Sequence, residues 1–214
     1  MAAPEAPARG LHCLARSFYA RDSLEVAPEL LNALVVAGQR VGRIVEVEAY
    51  RGAEDPASHA YRGRSRRNAT MFGPPGHLYV YFSYGNHWCA NAVCGEDGVA
   101  MAVLLRAISP VAGVEEMWAA RPAARRLRDL GSGPGKLCQA LGIDRRHDGA
   151  DLVTGDRGVR IMTDGTASPP QPGNGSRVGI STAQDRPWRW WVPGDPNVSR
   201  PASGGAGRKW PGKP

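Results

Sequence analysis

The chemistry-bearing residues of this chain lie in two strand-like stretches and the loop between them. In "RIVEVEAY" the side chains of Glu46, Glu48 and Tyr50 share one face, because successive residues of a strand point to opposite sides. A carboxylate beside an aromatic, on a strand that runs into a long loop, could serve as a base beneath a bound ring. The same spacing also describes a solvated strand face. His59 follows on the loop, where a lone histidine is commonly a surface residue. The second stretch, "GHLYVYFSYGNHWCANA", concentrates aromatics in a chain that is only 7% aromatic. Tyr79, Tyr81 and Ser83 face one way, while Leu78, Val80 and Phe82 face the other and belong to the core. The tyrosines are either cross-strand packing or a platform for stacking bases. A two-residue loop Gly85-Asn86 would put Tyr81 and Asn91 on opposite faces. A three-residue loop Gly85-Asn86-His87 would pair them and assemble a pocket, and that register is favoured here.

The elements that must position these residues are strands first, then helices, then more strands. Asp22 to Leu34 has the composition of a helix, with Pro28 in its first turn. "LVVAGQRVGRIVEVEAY" reads as a hairpin, and the segment from Arg51 to Gly76 as a long loop. Loops of that length in compact domains usually carry function. "VAMAVLLRAI" is a buried strand bearing Arg106. "GVEEMWAARPAARRLRDL" is a basic helix broken near Pro122. "SGPGKLCQALG" is a short helix with Ser132 before it and Gly142 after it. It superficially resembles a helix-hairpin-helix, but the surrounding strands favour a capped helix packed on a sheet. Without a βαβ rhythm, the order implies an α+β fold and not a doubly wound one.

Composition narrows the partners. Among 214 residues, 27 Lys+Arg oppose 20 Asp+Glu, which suits an anionic partner such as nucleic acid, although compositional bias of the genome would give the same excess. Only three of the basic residues, Lys136, Lys209 and Lys213, are lysines. Four cysteines without a CxxC pair, and histidines without ligand spacing, give no zinc motif and suggest free thiols in a reducing cytoplasm. No metal and no cofactor is expected. No apolar run has the length of a membrane span and no signal peptide is visible, so a cytoplasmic protein is expected. The expected division is a disordered lead over 1–13, one domain over 14–199 and a flexible basic tail over 200–214.

Four motifs in one order, "RIVEVEAY", "MFGPPGHLYVYFSYG", "LLRA" and "GPGKLCQALGI", resemble the alkyladenine DNA glycosylase family. The resemblance runs from about Leu14 to Ser199. It implies a single α+β domain around a curved antiparallel sheet, like the barrel of the formyltransferase C-terminal domain, with a hairpin that enters the minor groove of double-stranded DNA. It implies a monomeric enzyme without lyase activity that hydrolyses the N-glycosidic bond of damaged purines. By motif, Glu48 takes the place of the general base, and Arg106 and the carbonyl of Val178 hold the attacking water. Tyr50, His59 and Tyr81 become the walls around a flipped base, Asn91 the gate against guanine, and Tyr84 the wedge. Asn86 and His87 depart from the bulky residues that often follow the wedge glycine. The rival classes are a non-catalytic RNA-binding sheet and a hydrolase of free nucleosides. The first would want an RNP1 pattern and a repeating βαββαβ order, both missing here. The second would need neither Tyr84 nor a basic surface.

Overall fold

Alternation and turn chemistry account for most of the elements. A computed structural model describes residues 10–199, so the expectation for the tail falls outside the described residues. The described residues open with β1 (His12–Cys13), which pairs with a later strand, so the sheet begins ahead of the expected boundary at Leu14; the rest of the expected lead, residues 1–9, lies outside the described residues. Two short helices follow, α1 (Arg16–Tyr19) and α2 (Ser23–Glu29). The side chain of Asp22 caps α2 by accepting from the Leu24 amide at 2.9 Å. Pro28 lies in its last turn, not its first, and the helix stops at Glu29 instead of continuing to Leu34. The missing proline amide and the next strand, already begun at Leu34, both oppose a longer helix.

β2 (Leu34–Ala37) and β3 (Arg40–Arg51) form the expected hairpin. The long loop contains two single turns of 3-10 helix and leads into β4 (His77–Ser83), β5 (His87–Cys94) and β6 (Met101–Ala112). The broken basic helix is α3 (Val114–Ala120) and α4 (Arg128–Gly131), interrupted around Pro122. The capped helix is α5 (Pro134–Leu141), and Gly133, not Ser132, occupies its N-cap. The remaining strands are short: β7 (Ala150–Asp151), β8 (Val159–Thr163), β9 (Gly173–Gly175) and β10 (Arg189–Trp191).

The ten strands of the described residues join one antiparallel sheet, curled into a half-barrel, in the order β1-β8-β2-β3-β6-β5-β4-β7, with β10 attached to β3 and β9 to β10. The twelve-residue β3 is the spine. One edge pairs with β6 along its length; the other pairs with β2 near Arg40 and with β10 at Glu46, Val47 and Glu48. The β3–β6 register is irregular around Glu46. Val45 leaves that ladder, and its carbonyl accepts instead from the Val192 amide at 2.9 Å. As a result Ile44 and Val47 both reach the core although their positions have opposite parity.

The helices cover one face of the sheet. Val26 and Ala27 of α2, Leu30 at its C-cap, and Leu137, Cys138 and Leu141 of α5 pack with Val47, Ala49, Leu78, Val80, Val103 and Leu105 of the strands. A smaller cluster of Ala60, Met71, Tyr79, Val93, Ala100 and Ala102 lies beneath the long loop. Between this cluster and the hairpin tip the opposite face is open.

Candidate active site

The hairpin decides which aromatics meet. Ser83 pairs with His87, Tyr81 with Cys89 and Tyr79 with Asn91, so the loop is Tyr84-Gly85-Asn86. It has three residues, as favoured from the sequence, but lies one residue earlier, and Asn91 sits diagonal to Tyr81 instead of opposite it. The strand period of two keeps both on the same face despite the shift. Tyr84 and Gly85 have φ of 48° and 69°. Positive φ is ordinary for glycine and uncommon for a bulky residue, so the turn holds Tyr84 outward at a conformational cost. Its side chain is 81% exposed at the tip, and its hydroxyl donates to the Gly179 carbonyl at 3.1 Å. Phe82, placed in the core by alternation, is 45% exposed, because the hairpin has run past the sheet. It packs instead against Trp88, with the rings tilted by 52° and their centroids 4.8 Å apart.

Helix α5 braces this projection. A Cβ on Gly135 would fall 2.6 Å from the His87 ring, so a side chain there would push the hairpin away.

Beneath the tip lies a cavity of about 490 Å³, whose lining includes Tyr50, His59, Tyr79, Tyr81, Asn91 and Arg106. The volume suits a ligand of purine-nucleoside size. Tyr84 and Val178 also border it. Seven of the eight residues singled out from the sequence thus line one cavity, and the eighth, Glu48, is bonded to three of them. The Tyr81 ring stands edge-on to His59 at 4.4 Å and stacks with Tyr79 at 5.4 Å. His59 Nδ1 lies 3.1 Å from the Tyr79 hydroxyl. Burial, and then the charge of Arg67, lower the His59 pKa and favour the neutral ring. Asn91 donates its side-chain amide to the Tyr79 carbonyl at 3.1 Å. Only the NH₂ end can donate, so this bond fixes which way the amide lies.

Glu48 is fully buried. Its Oε1 accepts from the Val178 amide at 2.6 Å and lies 3.1 Å from Arg106 Nη1, and its Oε2 accepts from the Tyr50 hydroxyl at 2.9 Å. Burial raises its pKa; Arg106, the Val178 amide and the Tyr50 hydroxyl pull it back. Burial also raises the Tyr50 pKa, so that phenol stays protonated and remains a donor. Arg106 Nη1 also donates to the Val178 carbonyl at 3.4 Å. One carboxylate, one guanidinium and the backbone N–H and C=O of one residue therefore converge, an arrangement able to bind and polarise a water.

Glu46 stands on the same strand face as Glu48 but bonds neither Tyr50 nor the Val178 amide. Its carboxylate is enclosed by Arg106, Arg189 and Ser199. Sequence reasoning also missed Arg177. That residue forms a fully buried ion pair with Asp55 and lies 4.6 Å from the Tyr50 ring centroid. Arg67, 5.8 Å from the Tyr81 ring, was missed as well. No periodicity marks these arginines, since each meets its partner only through tertiary contact. Among the described residues, no three His, Cys, Asp or Glu side chains are grouped to hold a metal.

The chain is similar to known proteins over most of its length. The model of the methylpurine-DNA glycosylase family matches residues 17–196, which is most of the chain. A Burkholderia lata protein bearing the name of a 3-methyladenine DNA glycosylase is 55% identical over 191 residues, 89% of this chain and 92% of that protein. A similarly named protein of Streptomyces avermitilis is 48% identical over 192 residues, covering 87% of this chain and 90% of the relative. One from Agrobacterium fabrum is 48% identical over 185 residues, covering 86% and 91%. The chain belongs to the methylpurine-DNA glycosylase family. It is a DNA glycosylase that acts on damaged DNA.

Proposed function

We propose that the protein extrudes a damaged purine from duplex DNA into the aromatic cavity and hydrolyses its N-glycosidic bond with a water activated by Glu48. The observation that carries this reading is a fully buried carboxylate bonded to Arg106, the Val178 amide and Tyr50 at the edge of a cavity walled by aromatics. Arg106 and the Val178 carbonyl hold the water. Its oxygen bonds to C1′ of the sugar, its proton passes to Glu48, and the glycosidic electron pair leaves with the purine. A cationic purine such as 3-methyladenine departs neutral. A neutral one such as hypoxanthine needs a proton as it leaves.

Extrusion costs a few kcal/mol of stacking and pairing. Tyr84 offsets part of it by filling the vacated step from the minor groove. Tyr50, His59 and Tyr81 offset more; a stacked base recovers roughly 1–3 kcal/mol. Neutral His59 adds no positive charge, and tyrosine faces favour a cation, so the walls suit alkylated purines. Asn91 obstructs the exocyclic amino group of guanine. The substrate range we infer is 3-methyladenine, 7-methylguanine, hypoxanthine and ethenoadenine. The enzyme acts as a monomer and does not cleave the abasic product.

Incubating the protein with a duplex bearing one hypoxanthine, then cleaving abasic sites with alkali, tests this reading. Strand cleavage that depends on alkali is expected. Glu48→Gln should lower the single-turnover rate at least about 10²-fold, the smaller part of what a general base contributes, while duplex binding persists. A Glu48→Gln protein with near-normal rates would remove Glu48 from the base role. Release of methylpurines but not hypoxanthine would narrow the substrate range.

A further inference from the structure

Glu46 and Glu48 are both fully buried and both approach Arg106. One guanidinium between two carboxylates leaves an uncompensated buried charge, which is costly. The second positive charge comes from Arg189. Its Nε donates to Glu46 Oε1 at 2.6 Å, and its Nη2 donates to the Ser199 carbonyl at 3.1 Å. Ser199 completes the shell: its amide donates to Glu46 Oε2 at 2.6 Å and its hydroxyl to Oε1 at 2.8 Å. The same hydroxyl accepts from Arg106 Nη2 at 3.3 Å. Arg106 is therefore gripped along Nε and Nη2, and only Nη1 reaches Glu48 and the Val178 carbonyl.

We infer that Arg189 and Ser199 are positioning residues, which neutralise and saturate Glu46 so that the Nη1 arm of Arg106 is held for Glu48. Both belong to the final described stretch of the chain, where β10 pairs along Glu46 to Glu48 before the backbone turns back to Glu46 at Ser199. This role rests on the assignment of Glu48 as the base. The groups that face Glu48 are Arg106 from β6, Glu46 and Tyr50 from β3, Tyr81 and Cys89 from the hairpin, and the Val178 amide. Of these, Arg106 is the one cation. Weakening its hold raises the Glu48 pKa and moves the acidic limb of activity to higher pH.

The test uses the full chain with Ser199→Ala, Ser199→Thr and Arg189→Lys, and follows 3-methyladenine release from methylated duplex in single turnover across that limb. A cationic leaving base needs only ionised Glu48, so the limb reports that group. Ser199→Ala should slow release about tenfold, less than the roughly 10²-fold that a 1 Å misplacement can cost. Its limb should shift upward while duplex affinity is unchanged. Ser199→Thr, which keeps the hydroxyl, should restore both. Arg189→Lys keeps the charge but not the fork, and should shift the limb in the same direction. A lower melting temperature with an unmoved limb in Ser199→Ala and Arg189→Lys would overturn the positioning role. Glu48→Gln is the companion: near-normal release would overturn the base assignment and this role together. Loss of release in Glu48→Gln with unmoved limbs in the other variants would overturn the positioning role alone.

Discussion

The Tyr50 hydroxyl donates to the Glu48 carboxylate, two residues earlier on the same strand, across 2.9 Å. A wall of the cavity is thus tied to the buried carboxylate at its edge. Burial of the pair raises both pKa values. For Glu48 the folded pKa lies above the unfolded one, so the fold favours its protonated form. That stability is present below the unfolded pKa and is lost as pH rises through the folded pKa. At neutral pH, ionised Glu48 therefore costs stability. Glu48→Gln should melt at the same temperature as the parent protein or slightly higher at neutral pH, and the gap should close below the carboxylate range. Melting curves at the two pH values check this. A glutamine protein that is less stable by the same margin at both would contradict it.

Tyr84 makes one hydrogen bond and is 81% exposed, so Tyr84→Ala should change stability by no more than about 0.5 kcal/mol. Excision should nonetheless slow, and fluorescence from a flipped reporter base should fall. A clear loss of melting temperature with unchanged flipping would make Tyr84 a structural residue.

Asn91 is 4% exposed and bonded to the Tyr79 carbonyl, so it ties the hairpin and borders the cavity at once. Asn91→Ser shortens the side chain at the cavity wall. Release of undamaged guanine should rise relative to hypoxanthine, with a modest loss of stability, about 1 kcal/mol for one hydrogen bond. Matched duplexes give the ratio. A parallel fall on every substrate would leave Asn91 with the tie alone.

Borohydride should trap no covalent complex on damaged duplex. A Schiff base needs a desolvated amine, and Lys136, the one lysine among the described residues, is exposed and is not one of the cavity-lining residues. A trapped adduct would contradict water as the nucleophile.

Local periodicity was enough to align Glu48 with Tyr50, because a strand's side chains alternate whatever surrounds them; whether Tyr81 and Asn91 share a face depended on the loop length, which the structure sets at three residues. The turn at Gly85 likewise placed Tyr84 at a tip. The same rule could not separate Glu46 from Glu48, which share a face and a residue type. Their roles part because Arg189 and Ser199 reach Glu46 from 143 and 153 residues away, while Val178 reaches Glu48 from 130. Nor could alternation locate the irregularity at Val45 or foresee that Phe82 overruns the sheet. Those outcomes depend on which strand edges meet and where the sheet ends. Buried charge then selects among the remaining arrangements, because each carboxylate excluded from water must find donors wherever the fold brings them. The sequence by itself determined which side chains could face the cavity; the tertiary structure decided which carboxylate is left to act in it.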